Sequence, residues 1–280
     1  MDNQLKACFK KERLAFFRTN RFTILAAIIL GWAIIGPLLL RGLGLMMNSF
    51  APIYEEFGMD VSEMVEVFSE AVSLGVSSAI NDITTTGLIA FLILINAYAG
   101  GEQKKRSIMI PKTSGLKNFA YLFPKFIIYP LTALILAIIA GFASWAVSSI
   151  VFEVNDVSAG NVLMGGILAG VSLMFYICIH LTLGTATGRA GMSSIIVIII
   201  SLLVPSMFAA LGSDLIYNPF ALNIMATSVI SFAPPLGAFT GQEIIVTAII
   251  AIVLMKLLFF IALFAQNSKR IDNSGNEIRL

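Results

Sequence analysis

Long apolar runs, broken by short polar connectors, organise this chain. A helix needs about 20 apolar residues to cross the hydrocarbon core of a bilayer. Six segments reach roughly that length: 22–46, 83–100, 124–151, 161–183, 191–212 and 243–265. They predict an all-α polytopic membrane protein with six transmembrane helices. Gly31, Gly36, Pro37, Pro130 and Pro205 fall inside the runs. Membrane helices tolerate such residues because neighbouring helices and water satisfy the backbone groups they free. The second run is short, and a start nearer Ser77 would place Asp82 at the outer interface. The first run follows a long basic region and lacks a small-x-small ending, so it reads as a retained span and not a cleaved signal.

The connectors carry patterns of their own. In residues 1–21, Leu5, Cys8, Phe9 and Phe16 fall within about a quarter of the circumference at 100° per residue. Lys and Arg occupy much of the rest, which predicts an N-terminal interfacial helix along the inner leaflet. Over 60–73, Val61, Met64, Val65, Phe68 and Val72 recur at helical spacing, with Asp60 and Glu63 as a capping pair. Glu63, Glu66 and Glu70 line another face of this outer helix. They read either as an acidic collar for a cationic substrate or as the solvated side of a helix packed over the bundle. Residues 213–242 hold Asn218-Pro219, Pro234-Pro235 and an apolar stretch too short to span. That predicts a re-entrant outer segment before the last helix, covered by protein. Residues 266–280 form a polar tail.

Charge then orients the bundle. Only 12% of residues are charged against 58% hydrophobic, where a soluble domain has about 25% charged. Lys6, Lys10, Lys11, Arg13, Arg18 and Arg21 precede the first span, and Lys104, Lys105, Arg106, Lys112, Lys117 and Lys125 cluster in and just beyond the connector 101–123. Arg189, Lys269, Arg270 and Arg279 fall on the same side of a six-span thread. The alternate connectors 47–82, 152–160 and 213–242 contain no Lys or Arg. By the positive-inside rule both termini are expected in the cytoplasm.

Candidate chemistry is sparse. His180 is the only histidine, and no H-E-x-x-H, G-x-S-x-G or paired intramembrane Asp appears, which disfavours a membrane enzyme. The glycine-rich 184–191 lacks the spacing and Lys of a phosphate loop and reads as a tight turn. No metal site, no cofactor of this chain's own and no nucleic-acid partner is expected. Cys8 and Cys178 are not expected to bridge. Gly166 and Gly170 form G-x-x-x-G, which lets helices approach closely. Arg41 can snorkel at the outer end of the first span. Lys256 lies about 14 Å from the inner end of the last span and should face protein or water, or snorkel. Lys256 and His180 are therefore candidate substrate-pathway residues, with a hydrogen-bonded bundle histidine as the plainer reading of the latter.

The connector 101–123 begins with Glu102, continues through Lys104, Lys105, Arg106, Ser107 and the apolar Ile108 to Ile110, and reaches Pro111, Ser114 and then Lys117 or Lys125. With the interfacial helix, six spans and re-entrant outer segment, this layout resembles the permease subunits of type-2 ABC transporters. Arg106-Ser107 stands where that family usually has Gly-Thr, and Pro111 and Ser114 are one residue further apart than usual. The resemblance implies that Glu102 to Ser114 form a coupling loop seated on a separate cytoplasmic ATPase. Two permease chains, identical in the simplest case, would join two ATPase chains in a bacterial plasma membrane, with ATP and Mg held by the ATPases. It also implies export of a hydrophobic or amphipathic substrate, best an amphipathic peptide toxin of the phenol-soluble-modulin kind. Multidrug or lipid export is the alternative, and a non-transporting immunity or sensor protein is the alternative of another class.

Overall fold

The computed structural model describes residues 2–56, 72–102, 115–211, 217–230, 239–271 and 277–279. Helix α1 (Asp2–Phe17) precedes α2 (Asn20–Glu56). The next span is interrupted: α3 (Val72–Asp82), a wide π turn (Ile83–Gly87), α4 (Leu88–Ile95) and a second π turn (Ala97–Gly101). There follow α5 (Asn118–Val151), α6 (Ala159–Thr187), α7 (Ala190–Leu211), a 3₁₀ turn (Pro219–Ala221) leading into α8 (Leu222–Ile230), and α9 (Gly241–Asn267). A short antiparallel pair, β1 (Lys269–Ile271) with β2 (Glu277–Arg279), ends the chain. Among the described residues six helical stretches, α3 to α4 counted as one, are long and apolar enough to cross a membrane, so the chain is an all-α polytopic membrane protein.

Helix α6 lies at the centre. It packs against α5, α7, α8 and α9, and most of its length is buried. Its small residues make this possible. A β-carbon on Gly170 would come 2.8 Å from Leu134 Cα, and one on Gly166 would come 3.1 Å from Ile138 Cα. The G-x-x-x-G motif is thus used inside the chain, against α5. In contrast, α2, α7 and α9 keep most of their apolar surface exposed, as helices facing lipid or a second copy do. The short α8 is buried against α6 and α3 at its apolar residues Leu222, Met225, Ala226 and Ile230. The return limb of the predicted re-entrant segment, 231–238, lies outside the described residues.

The second span differs from the expected 83–100. It begins at Val72, because Val72, Val76, Ala79, Ile80 and Ile83 form a fully buried stripe that the intervening Ser, Asn and Asp residues dilute in the sequence. Asp82 therefore sits about 15 Å along the span and not at its outer edge. The π turn that follows is stabilised by hydroxyls: Thr84 Oγ1 donates to the Ile80 and Asn81 carbonyls, and Thr85 Oγ1 to the Asn81 carbonyl at 2.8 Å.

Both ends of the bundle are tied by polar contacts. At one end Val72 N–H donates to Val154 O (3.1 Å) and Ser73 N–H to Asp156 Oδ1 (2.9 Å), which caps α3. Arg41 meets the exposed Glu153 there at 3.5 Å. Ser158 caps α6, and Thr240 with Glu243 forms a reciprocal capping box on α9. At the opposite end Gly188 closes α6 in a left-handed conformation (φ 67°), and Asn118 Nδ2 donates to Asn267 Oδ1 at 2.7 Å, joining the start of α5 to the end of α9. Helix α1 packs at this second end, against α5 and α2.

A buried charge cluster as candidate functional site

Glu12 lies within the apolar arc of α1, between Cys8 and Phe16. The fold packs that arc against α5, with Phe16 buried and Leu5, Cys8 and Phe9 partly so, and the carboxylate is carried inside with it, 1% exposed. An unpaired buried charge would cost several kcal/mol. The structure meets this with Lys125, also 1% exposed, one residue after Pro124 in the first turns of α5. Lys125 Nζ lies 3.8 Å from Glu12 Oε1 and donates to Glu102 Oε2, to the Tyr98 carbonyl (3.0 Å) and to Tyr121 Oη (2.9 Å). Its other neighbour is the Tyr121 ring, 4.2 Å from Nζ.

Glu102 closes the cluster. Its Oε2 accepts from Tyr121 Oη at 2.6 Å, and its Oε1 accepts from Lys11 Nζ at 2.6 Å. Tyr129 Oη donates to Glu12 Oε2 at 2.6 Å. Among the described residues two carboxylates and two ammonium groups thus meet in one network, with Lys11 at its exposed edge. Around it Tyr98 stacks on Tyr129 (5.2 Å) and donates its hydroxyl to the Ala15 carbonyl (3.0 Å), while Arg21 covers the outer face of the Tyr98 ring at 5.0 Å.

Backbone geometry delivers Glu102 to this place. Ala99 (φ −83°, ψ 18°) and Gly100 (φ 137°) leave the helical conformation, and the chain bends where it touches α6. A β-carbon on Gly184 would stand 1.6 Å from Ala99 O, and one on Gly100 would stand 2.4 Å from Gly184 O. Only glycine permits this contact between the two backbones.

Helix α1 also holds the far side of the connector. Gln4 Nε2 donates to Gly115 O at 3.2 Å, and Lys117 N–H donates to Gln4 Oε1 at 3.4 Å. The residues that flank 103–114 are therefore both held by α1, Glu102 beside Lys11 and Gly115 beside Gln4. Lys104, Lys105, Arg106, Ser107, Ile108, Pro111 and Ser114 lie outside the described residues, as do Glu63, Glu66 and Glu70. Of Lys117 and Lys125, it is Lys125 that pairs with Glu102.

Burial raises the Glu102 pKa, but the Lys125 charge and the hydrogen bonds from Lys11, Lys125 and Tyr121 outweigh it and hold the carboxyl at about 2, against an ordinary 4.5. A depressed folded-state value stabilises the fold above the ordinary value, and that contribution disappears as pH falls from about 4.5 towards about 2. Acid titration of purified protein in micelles should show a loss of thermal stability across this window. Glu102→Gln should flatten that limb while lowering stability at neutral pH.

The other sequence candidates are placed apart from the cluster. His180 is fully buried. Its Nδ1 lies 2.9 Å from Ser193 Oγ, which also contacts the His180 carbonyl at 2.8 Å. One hydroxyl proton cannot serve both contacts, so Oγ–H to the carbonyl and Nδ1–H to Oγ satisfies them together. Lys256 is exposed on α9, amid Ile252, Val253, Leu257 and Phe260. Asp82 is half-buried beside the first span, its Oδ2 3.6 Å from where a β-carbon on Gly36 would stand. Among the described residues no group of His, Cys, Asp and Glu side chains is arranged to hold a metal ion. Scanned against models of known protein families the chain matches none, and no curated protein matches it.

Proposed function

We propose that the chain is the membrane-spanning permease subunit of an ATP-driven exporter, powered by a separate cytoplasmic ATPase that seats on the connector 103–114. The observation that carries this reading is the double anchorage of that connector. Glu102, just before it, is ion-paired to Lys11 of α1 and Lys125 of α5, and Gly115 and Lys117, just after it, are hydrogen-bonded to Gln4 of α1. A push on the connector is thereby passed to α1 and to the base of the third span together. A bistable bundle biased by such a push is the minimum that alternating access requires. The permease has no chemistry of its own in this scheme. ATP and Mg act on the partner.

The cargo is an amphipathic, largely apolar molecule carrying positive charge, best an amphipathic peptide. The half-buried Asp82 carboxylate beside the first span supports the positive charge, because an acidic group at that depth is kept where a cation or water meets it.

Purification of the tagged full-length chain from its own membranes tests the reading. A chain with an ATP-binding phosphate loop should co-purify in equal amount. Replacing residues 104–114 with Gly and Ser should remove it while the permease still elutes as a folded species. Equal retention by the replaced variant refutes docking on the connector. A permease that purifies alone, with no ATPase activity in vesicles, favours a non-transporting role.

A further inference from the structure

The outward side of α1 is built differently from the side that carries the charge cluster. A groove of about 440 Å³ opens there, lined by Leu5, Lys6, Phe9, Lys10, Arg13 and Ile128. Lys6, Lys10 and Arg13 fall within about 60° of one another at 100° per residue, so three cations share one rim. Lys11 points away, into the ion pairs with Glu12 and Glu102. Among the described residues no carboxylate pairs with Lys6, Lys10 or Arg13. The floor is apolar: Leu5 and Phe9 from α1, with Ile128 from within the membrane-crossing helix α5. The groove therefore joins an anion-attracting rim to a surface continuous with the hydrocarbon-facing wall of the bundle.

We propose that this groove is a binding site for one anionic phospholipid, its phosphate between Lys6, Lys10 and Arg13 and an acyl chain over Leu5, Phe9 and Ile128. The ligand follows from the pairing of the two surfaces. A soluble anion would use only the rim, and a zwitterionic lipid brings no net charge to three uncompensated cations. Phe9 and Ile128 each lie three residues from Glu12 and Lys125 on their own helices, so a bound lipid would wedge α1 against α5 along the edge of the charge cluster and brace it from the side. The proposal rests on the membrane-crossing architecture and not on the exporter reading, so it can fail while that reading stands.

Native mass spectrometry of the full-length chain, released from micelles after incubation with phosphatidylglycerol or phosphatidylcholine of matched acyl chains, tests it. Wild type should retain one phosphatidylglycerol in preference to phosphatidylcholine. Each cation near an anionic headgroup strengthens attachment about five-fold, so the triple variant K6Q/K10Q/R13Q should bind it roughly a hundred-fold more weakly. The triple variant R18Q/K117Q/R189Q, which removes equal charge away from the groove, should retain it. Ile128→Trp fills the floor and leaves the rim intact, and it too should lose the lipid. This second variant decides the matter if the first misfolds. Equal retention of both lipids by wild type, unchanged binding in both groove variants, or equal loss in the control triple overturns the proposal. Displacement by millimolar inorganic phosphate also overturns it and assigns the rim to a soluble anion.

Discussion

Replacing Lys125 with methionine is expected to destabilise the folded chain by roughly 3–5 kcal/mol, the largest effect of any single substitution in the cluster. The side chain is 1% exposed and faces two carboxylates, a backbone carbonyl and a phenol oxygen. Methionine fills similar space but neutralises nothing. Glu12 would keep Lys11 at 3.5 Å, yet Lys11 already serves Glu102 and is itself half exposed. Among the described residues one negative charge is then left in excess, with Glu12 1% exposed. The cause can be separated from lost packing. Adding Glu12→Gln to Lys125→Met restores the balance of one ammonium with one carboxylate and should recover a substantial part of the loss. Denaturant titration in mixed micelles reads both variants. If the double variant is no more stable than Lys125→Met, the charge argument is wrong.

Gly184→Ala is the second large effect, expected to cost about 3 kcal/mol or more, at the upper end for overpacking. The added methyl would stand 1.6 Å from Ala99 O and 2.7 Å from its carbonyl carbon. Both are backbone atoms, and the segment that carries them is held by Gly100 at φ 137°, where other residues are strained. No rotamer change relieves such a contact, so the second π turn and α6 must separate, and Glu102 would be drawn from its partners. Gly165→Ala is the control. Its closest clash, at 2.3 Å, is with the Cδ1 tip of Ile230, which can turn aside. Thermal melting should place Gly184→Ala well below Gly165→Ala. Comparable melting temperatures would show that the contact between the second π turn and α6 yields easily.

Much of the architecture was legible because hydrophobic length alone specifies it. The apolar runs locate six long helices, and the structure gathers the Lys- and Arg-rich connectors it describes at one end of the bundle. The second span was harder to read. Asn81 and Asp82 interrupt its apolar average, yet its buried stripe depends on periodicity and not on mean hydropathy. The charge cluster was half visible. Glu102 stands out as the head of a basic connector, whereas Glu12 was hidden among basic neighbours. Its place in the same arc as Leu5, Cys8 and Phe16 was the available signal, since a carboxylate on an apolar face needs a buried counter-charge. Lys125 counted as one more cation of the connector, and only helical phase inside α5 sends it inward. The meeting of Gly100 with Gly184 joins residues far apart along the chain, and no local pattern announces it.

Helix α6 has neighbours on every side, while α2, α7 and α9 each keep a broad bare flank. Such a bundle has a mandrel. Movement that reshapes the protein is easiest for the outer staves, which can tilt or slide without opening a void behind them. Shifting the central rod would disturb its contacts with α5, α7, α8, α9 and the second π turn at once, three of them made through glycine. The stationary part of this molecule is therefore its middle, and its moving parts are the ones that meet the surroundings.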